Sequence, residues 1–95
     1  MLNLQATTQY RKDRKRAIKR GLPINLLDDV LQTLIEEKPL DPKHNDHALA
    51  GNYAGFRECH IQPDWLLIYA IDNGTQILTA TRTGSHFTRR GFLPT

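Results

Sequence analysis

Residues 65–71 read WLLIYAI, and a run this apolar is the signature of a central strand covered on both faces. Turn signals stand on either side of it. In Gln62-Pro63-Asp64-Trp65 the proline presets φ for the second turn position. In Asp72-Asn73-Gly74-Thr75 the Asn-Gly pair tolerates the positive φ angles of a type I′ hairpin. The strand is thus flanked by antiparallel neighbours over residues 56–61 and 76–82. A two-residue Asn73-Gly74 loop would pair Trp65 with Arg82.

The rest of the chain has to cover this sheet. Leu2, Leu4 and Ala6 alternate with polar residues, the pattern of a short half-buried strand. Thr7 or Thr8 caps a helix over about residues 9–20, and Gly21 stops it. Its apolar side is only Tyr10, Ala17 and Ile18, eked out by Lys and Arg stems. Pro23 opens a second helix, where Leu26, Leu27, Val30, Leu31, Leu34 and Ile35 recur at helical spacing before Pro39 and Pro42. The predicted architecture is a single α+β domain over residues 1–95 in the order βααβββ. Its second helix packs on a three-strand meander and its first displays charge.

Ninety-five residues support one modest core, and 39% hydrophobic content is that of a globular chain. No run is long enough to span a membrane, and the N-terminus lacks a signal-peptide layout, so no membrane partner is expected. The single Cys59 excludes an internal disulfide and fits a reducing compartment, with the cytoplasm as the expected location. Charge is unevenly spread. Arg11, Lys12, Arg14, Lys15, Arg16, Lys19 and Arg20 fall in one stretch, opposed there only by Asp13, and Arg82, Arg89 and Arg90 lie in an acid-free tail. Two basic segments suggest a polyanion partner, against the plain alternative of a solvated helix face.

The turns also gather polar residues. His86 would hang past the sheet edge beyond Arg82, with His60 and Asp64 near the same edge. A chain reversal near Ala54-Gly55 would bring His47 alongside His60. Each residue has a plainer reading: Trp65 as core, His60 as a half-exposed strand residue, Asp64 as a turn former, Glu58 as a cross-strand partner for a basic side chain. Together they match what RNA cleavage requires. The 2′-OH is an internal nucleophile, so the protein has to move two protons and stabilise a dianionic phosphorane. Histidine moves protons near neutrality, arginine fits phosphate, and an aromatic ring holds an unstacked base. Zinc ligation by His44, Asp46 and His47 is the weaker competitor, since familiar zinc spacings are missing. A Ser85–His86 nucleophile is disfavoured because strand neighbours point apart.

The segments DHALAGNYAGFRECHIQPDWLLIY and RTGSH, spaced as they are here, resemble the YafQ branch of the RelE-type toxins of bacterial type II toxin–antitoxin systems. The likeness covers nearly the whole chain. It implies a RelE-like fold and an endoribonuclease that cuts mRNA in the ribosomal A site without metal or cofactor. It also implies a cognate antitoxin that neutralises the protein. Carried onto this sequence, it implies catalytic or substrate roles for His47, His60, Asp64, Trp65 and His86. The assignment taken forward has His86 as acid, His47 as base, and His60 and Asp64 positioning, while Arg82 as a phosphate contact rests on strand geometry. The family's aromatic residue four positions after the last histidine is Arg90 here, so Phe87 or Phe92 is the candidate replacement for stacking on a base.

Overall fold

The computed structural model describes residues 1–85. Along the chain run β1 (Asn3–Ala6), α1 (Thr8–Lys19), α2 (Ile24–Ile35), β2 (His47–Ala48), β3 (Arg57–Gln62), β4 (Trp65–Asp72) and β5 (Ile77–Ser85). One sheet holds all five strands in the order β1-β5-β4-β3-β2, with β1 parallel to β5 and the other pairs antiparallel. The α+β order is the expected one, with β2 added as a short edge strand.

Alternation along β4 divides the core. Trp65, Leu67 and Tyr69 face α1 and α2, where Tyr10, Ala17, Leu27, Val30, Leu31 and Leu34 meet them. Ile68 points the other way and is covered by Leu49, Tyr53 and Phe56 from the segment between β2 and β3. So β4 is buried on both faces, but helices cover only one. Each buried aliphatic side chain of α2 contributes ~1.5–3 kcal/mol. Leu26, on the flank of that stripe, remains exposed.

Both helices stop by the same hydrogen-bond motif. Gly21 (φ 77) ends α1, with Gly21 and Leu22 N–H groups donating to the Ile18 and Ala17 carbonyls. At α2 the left-handed residue is Glu37 (φ 59), and the Glu37 and Lys38 N–H groups donate to Leu34 and Thr33. Helix α2 therefore ends at Ile35, before either proline.

Helix α1 is more than a charged display. Strand β1 ends at Ala6, so among the described residues the β5 edge on that side has no strand neighbour beyond Ala80. Two α1 side chains take its place. Thr7 caps the helix by accepting from Tyr10 N–H, and its hydroxyl donates to Thr81 O at 2.7 Å. Asp13, 4% exposed, accepts from Thr83 N–H at 3.2 Å and from Arg82 Nε at 2.7 Å. A lone acid in a basic run is thus the bolt between helix and sheet.

Two register expectations fail for local reasons. The β4–β5 loop has four residues, because Asp72 accepts from Gly74 N–H and Thr75 N–H and Gln76 takes the left-handed conformation (φ 56). With a bulge at Thr81, Trp65 faces Ser85 instead of Arg82. The β2–β3 reversal centres on a 3₁₀ turn at Gly51–Tyr53, closed by Leu49 N–H donating to Phe56 O at 2.9 Å. His47 therefore lies opposite Glu58, two residues short of His60.

Candidate functional site

Glu58 and His60 alternate on β3 and pair with Ile68 and Leu66, so both belong to the sheet face away from the helices. His47 joins them from β2. Its Nδ1–H donates to Asn45 O at 2.7 Å, which leaves Nε2 as the nitrogen that gains the ring's second proton. That Nε2 stands 3.4 Å from Glu58 Oε1. Glu58 is 1% exposed whereas the His47 ring is 41% exposed: a buried carboxylate behind an accessible imidazole. His60 Nδ1–H donates to Pro63 O at 3.3 Å, fixing its ring against the β3–β4 turn. His44 Nδ1–H donates to His60 O at 2.7 Å and borders the same depression as His60.

The approach to His47 is held by its neighbour Asp46. Tyr69 Oη–H and Arg57 Nη2–H both donate to Asp46, at 2.5 and 3.2 Å. Burial first, and then the bond to Asp46, pushes the Tyr69 phenol well above its ordinary range. This latch ties the loop before β2 to β3 and β4. Sequence reading missed it, along with the functional side of Glu58, because both depend on cross-strand register. The only sequence sign was an acid on the strand next to the apolar run of β4.

The remaining expected residues lie elsewhere. Asp64, Trp65 and Arg82 line a cleft between α1 and the β3–β4 turn. Trp65 is 3% exposed; its indole N–H donates to Thr83 Oγ1 at 2.8 Å, and Thr83 in turn donates to Leu66 O. A ring so enclosed builds the cleft wall and offers no face for a base to stack on. Arg82 is engaged by buried Asp13, which answers the charge that the expected phosphate contact would use. Asp64 is exposed at the cleft rim. His86, Phe87 and Phe92 lie outside the described residues.

On α1, Arg11, Lys12, Lys15, Arg16, Lys19 and Arg20 are exposed. Arg14 is diverted, since its Nη2 pairs with Asp28 of α2 at 2.8 Å. Among the described residues no three His, Cys, Asp or Glu side chains converge as metal ligands. His44, Asp46 and His47 each face a different partner.

The fold as a whole, two helices on a small mixed sheet, is that of the toxin half of a bacterial toxin–antitoxin pair. The family model described as bacterial toxin of type II toxin–antitoxin system, YafQ, matches residues 2–88, and the chain belongs to that family. It is 38% identical over 85 residues to the mRNA interferase toxin YafQ of Escherichia coli K12, covering 88% of this chain and 90% of that one. The structure of the E. coli DinJ–YafQ complex superposes with TM-score 0.85 at 34% identity, covering 93% of this chain and 97% of that one. A metal-bound toxin from Helicobacter pylori superposes with TM-score 0.86 at 41% identity, over 92% and 97% of the two chains.

Proposed function

We propose that this chain is an mRNA interferase, a toxin that cuts mRNA in the ribosomal A site and is neutralised by a cognate antitoxin. The observation that carries the reading is the buried Glu58 carboxylate facing Nε2 of an exposed His47, with His60 beside it on the same sheet face. His47 takes the 2′-OH proton at Nε2, and the Glu58 carboxylate 3.4 Å from that nitrogen stabilises the imidazolium that forms. The 2′-oxygen bonds to phosphorus as the P–O5′ bond breaks, and the leaving oxygen takes a proton from His86. The products are a 2′,3′-cyclic phosphate and a 5′-OH. His60 and Asp64 position the scissile nucleotide.

His47 and His60 are the accessible part of the sheet face away from the helices, with little to hold a flexible strand in line for attack. A codon already fixed by the ribosome has lost that freedom, so the ribosome supplies the substrate geometry and basic α1 supplies docking. The working location is the cytoplasm; among the described residues no helix is long and apolar enough to cross a membrane. No step of this reaction is routed through a metal. Ala substitution of His47, His60 and His86 singly, with cleavage of ribosome-bound message and growth arrest as readouts, tests the reading. Loss of cutting in folded variants is expected. Full growth arrest without any cut message would favour the rival reading, a basic module that blocks the ribosome without cleaving.

A further inference from the structure

His47 stands on the least supported strand of the sheet. Strand β2 lies at the sheet edge and has only two residues, half the length of β1. It joins β3 through two residue pairs, His47 opposite Glu58 and Ala48 opposite Arg57. So short a pairing opens readily when nothing else fixes it. What fixes it is the carboxylate of Asp46, the residue just before. Oδ1 accepts from Tyr69 Oη–H of β4 and Oδ2 from Arg57 Nη2–H of β3, so both oxygens are taken. The anchor is firm, because Tyr69 is 1% exposed and packed in the core under the helices. Register sets this latch directly beside the proton-transfer pair. Ala48, Arg57 and Tyr69 form one row across three strands, and His47, Glu58 and Ile68 form the next.

The latch reaches the imidazole through the residue on its other side. Asn45 takes the left-handed conformation (φ 47), and its carbonyl accepts the His47 Nδ1–H at 2.7 Å. That carbonyl is held from behind by Asn45 N–H donating to Pro42 O at 3.0 Å, and from ahead by Asp46. A core phenol requires only some acceptor. Here the acceptor is an acid gripped at both oxygens, between the imidazole and the carbonyl that selects its tautomer. From this arrangement we infer that Asp46, Tyr69 and Arg57 are positioning residues for His47. They keep the Asn45 carbonyl on Nδ1 and so keep Nε2 as the nitrogen that receives the 2′-OH proton. The inference rests on the proposed RNA-cutting function and deepens it. Misplacing a reacting group by about 1 Å costs on the order of 10²-fold in rate, so loss of the latch slows the reaction without loosening the substrate.

Three variants of the full-length chain test this. Tyr69→Phe keeps the ring in the core, Asp46→Asn keeps the shape and one acceptor, and Asp46→Ala removes the latch. With ribosome-bound message at saturating toxin, the cutting rate should fall ~10²-fold in Asp46→Ala and ~10-fold in the other two. The toxin concentration giving half the maximal rate should stay within ~2-fold of wild type. Adding Asp46→Ala to His47→Ala should cost nothing further, because the latch acts through that ring. Ring-¹⁵N spectra of the free protein, with His47 neutral, should show hydrogen on Nδ1 in wild type and a mixture of tautomers in Asp46→Ala. Wild-type rates in folded Tyr69→Phe and Asp46→Ala, a multiplied loss in the double variant, or an unchanged His47 ring spectrum would overturn the inference. If cutting is lost with His47→Ala but not with the latch variants, the positioning role falls and the reaction stands. A tautomer preference lost in Asp46→Ala, in a protein whose wild type cuts nothing, would sustain the positioning while defeating the reaction.

Discussion

Removing a charged partner from a buried carboxylate, or the carboxylate from its partner, is costly in a protein interior. That makes Glu58 the informative residue of the histidine face. Glu58→Gln keeps the shape but removes the charge opposite His47 Nε2. We expect cleavage to fall by ~10²-fold, the scale of a general-base contribution, with partial recovery in Glu58→Asp. Wild-type cutting by a folded Glu58→Gln would remove Glu58 from the mechanism. Cys59, next to it, faces the helices and carries no chemistry. Burial above all, then the negative charges of Asp46 and Glu58, raises its thiol to about 12. Tyr10 is raised to about 12 in the same direction, by burial and then by Asp28. Both groups hold their protons more tightly when folded. Their contribution is complete below their unfolded pKa values of about 9 and 10, and drains away as pH climbs towards 12. Urea midpoints measured from pH 8 upward should fall steadily, and Cys59→Ala should delay the onset by about one unit. A flat alkaline limb would contradict the burial of both groups.

Among the elements, α1 departs most from its sequence reading. Its cap at Thr7 and stop at Gly21 were legible, because both signals are local. Its bolt was not, because Asp13 meets Arg82 and Thr83 some seventy residues away and nothing beside Asp13 in sequence marks it as buried. Asp13→Asn would leave Arg82 without its countercharge, and a broken buried pair costs ~3–5 kcal/mol. A loss of about that size in urea denaturation is expected; a change below 1 kcal/mol would return Asp13 to the surface. The β4–β5 hairpin shows the same limit. Asn73-Gly74 is a sound two-residue turn signal, but the Asp72 carboxylate satisfies two loop N–H groups and favours a longer loop. One side chain moved every downstream pairing, and Trp65 lost Arg82 as its neighbour.

At the scale of the whole molecule, the chain order of strands and helices and the family were readable from hydrophobic period, turn residues and motif spacing, whereas the parallel seat of β1 beside β5 and the edge strand β2 were not. The expected cluster of three histidines, an aspartate, a tryptophan and an arginine was read as one edge. The sheet instead divides its described members, placing His47 and His60 on the face away from the helices and Asp64, Trp65 and Arg82 in the α1 cleft. Period-two alternation assigns residues to faces only once register is known, and register rested on two turns, one lengthened by the Asp72 carboxylate and the other built on a backbone-closed 3₁₀ turn, neither visible in the sequence pattern. The molecule thus carries an accessible histidine pair on one sheet face and a cleft beside α1 on the other, both bordered by Gln62 of β3, with the lysines of α1 exposed.

The central claim is attack by the RNA's own 2′-OH under histidine acid–base control. End-group analysis of message cut on programmed ribosomes tests it most directly. Attack by the 2′-OH leaves a 2′,3′-cyclic phosphate on one fragment and a 5′-OH on the other, and gives no cutting when the sugar before the cut is 2′-deoxy. A 3′-OH with a 5′-phosphate, or undiminished cutting at the 2′-deoxy position, would mean that water is the nucleophile and would contradict it.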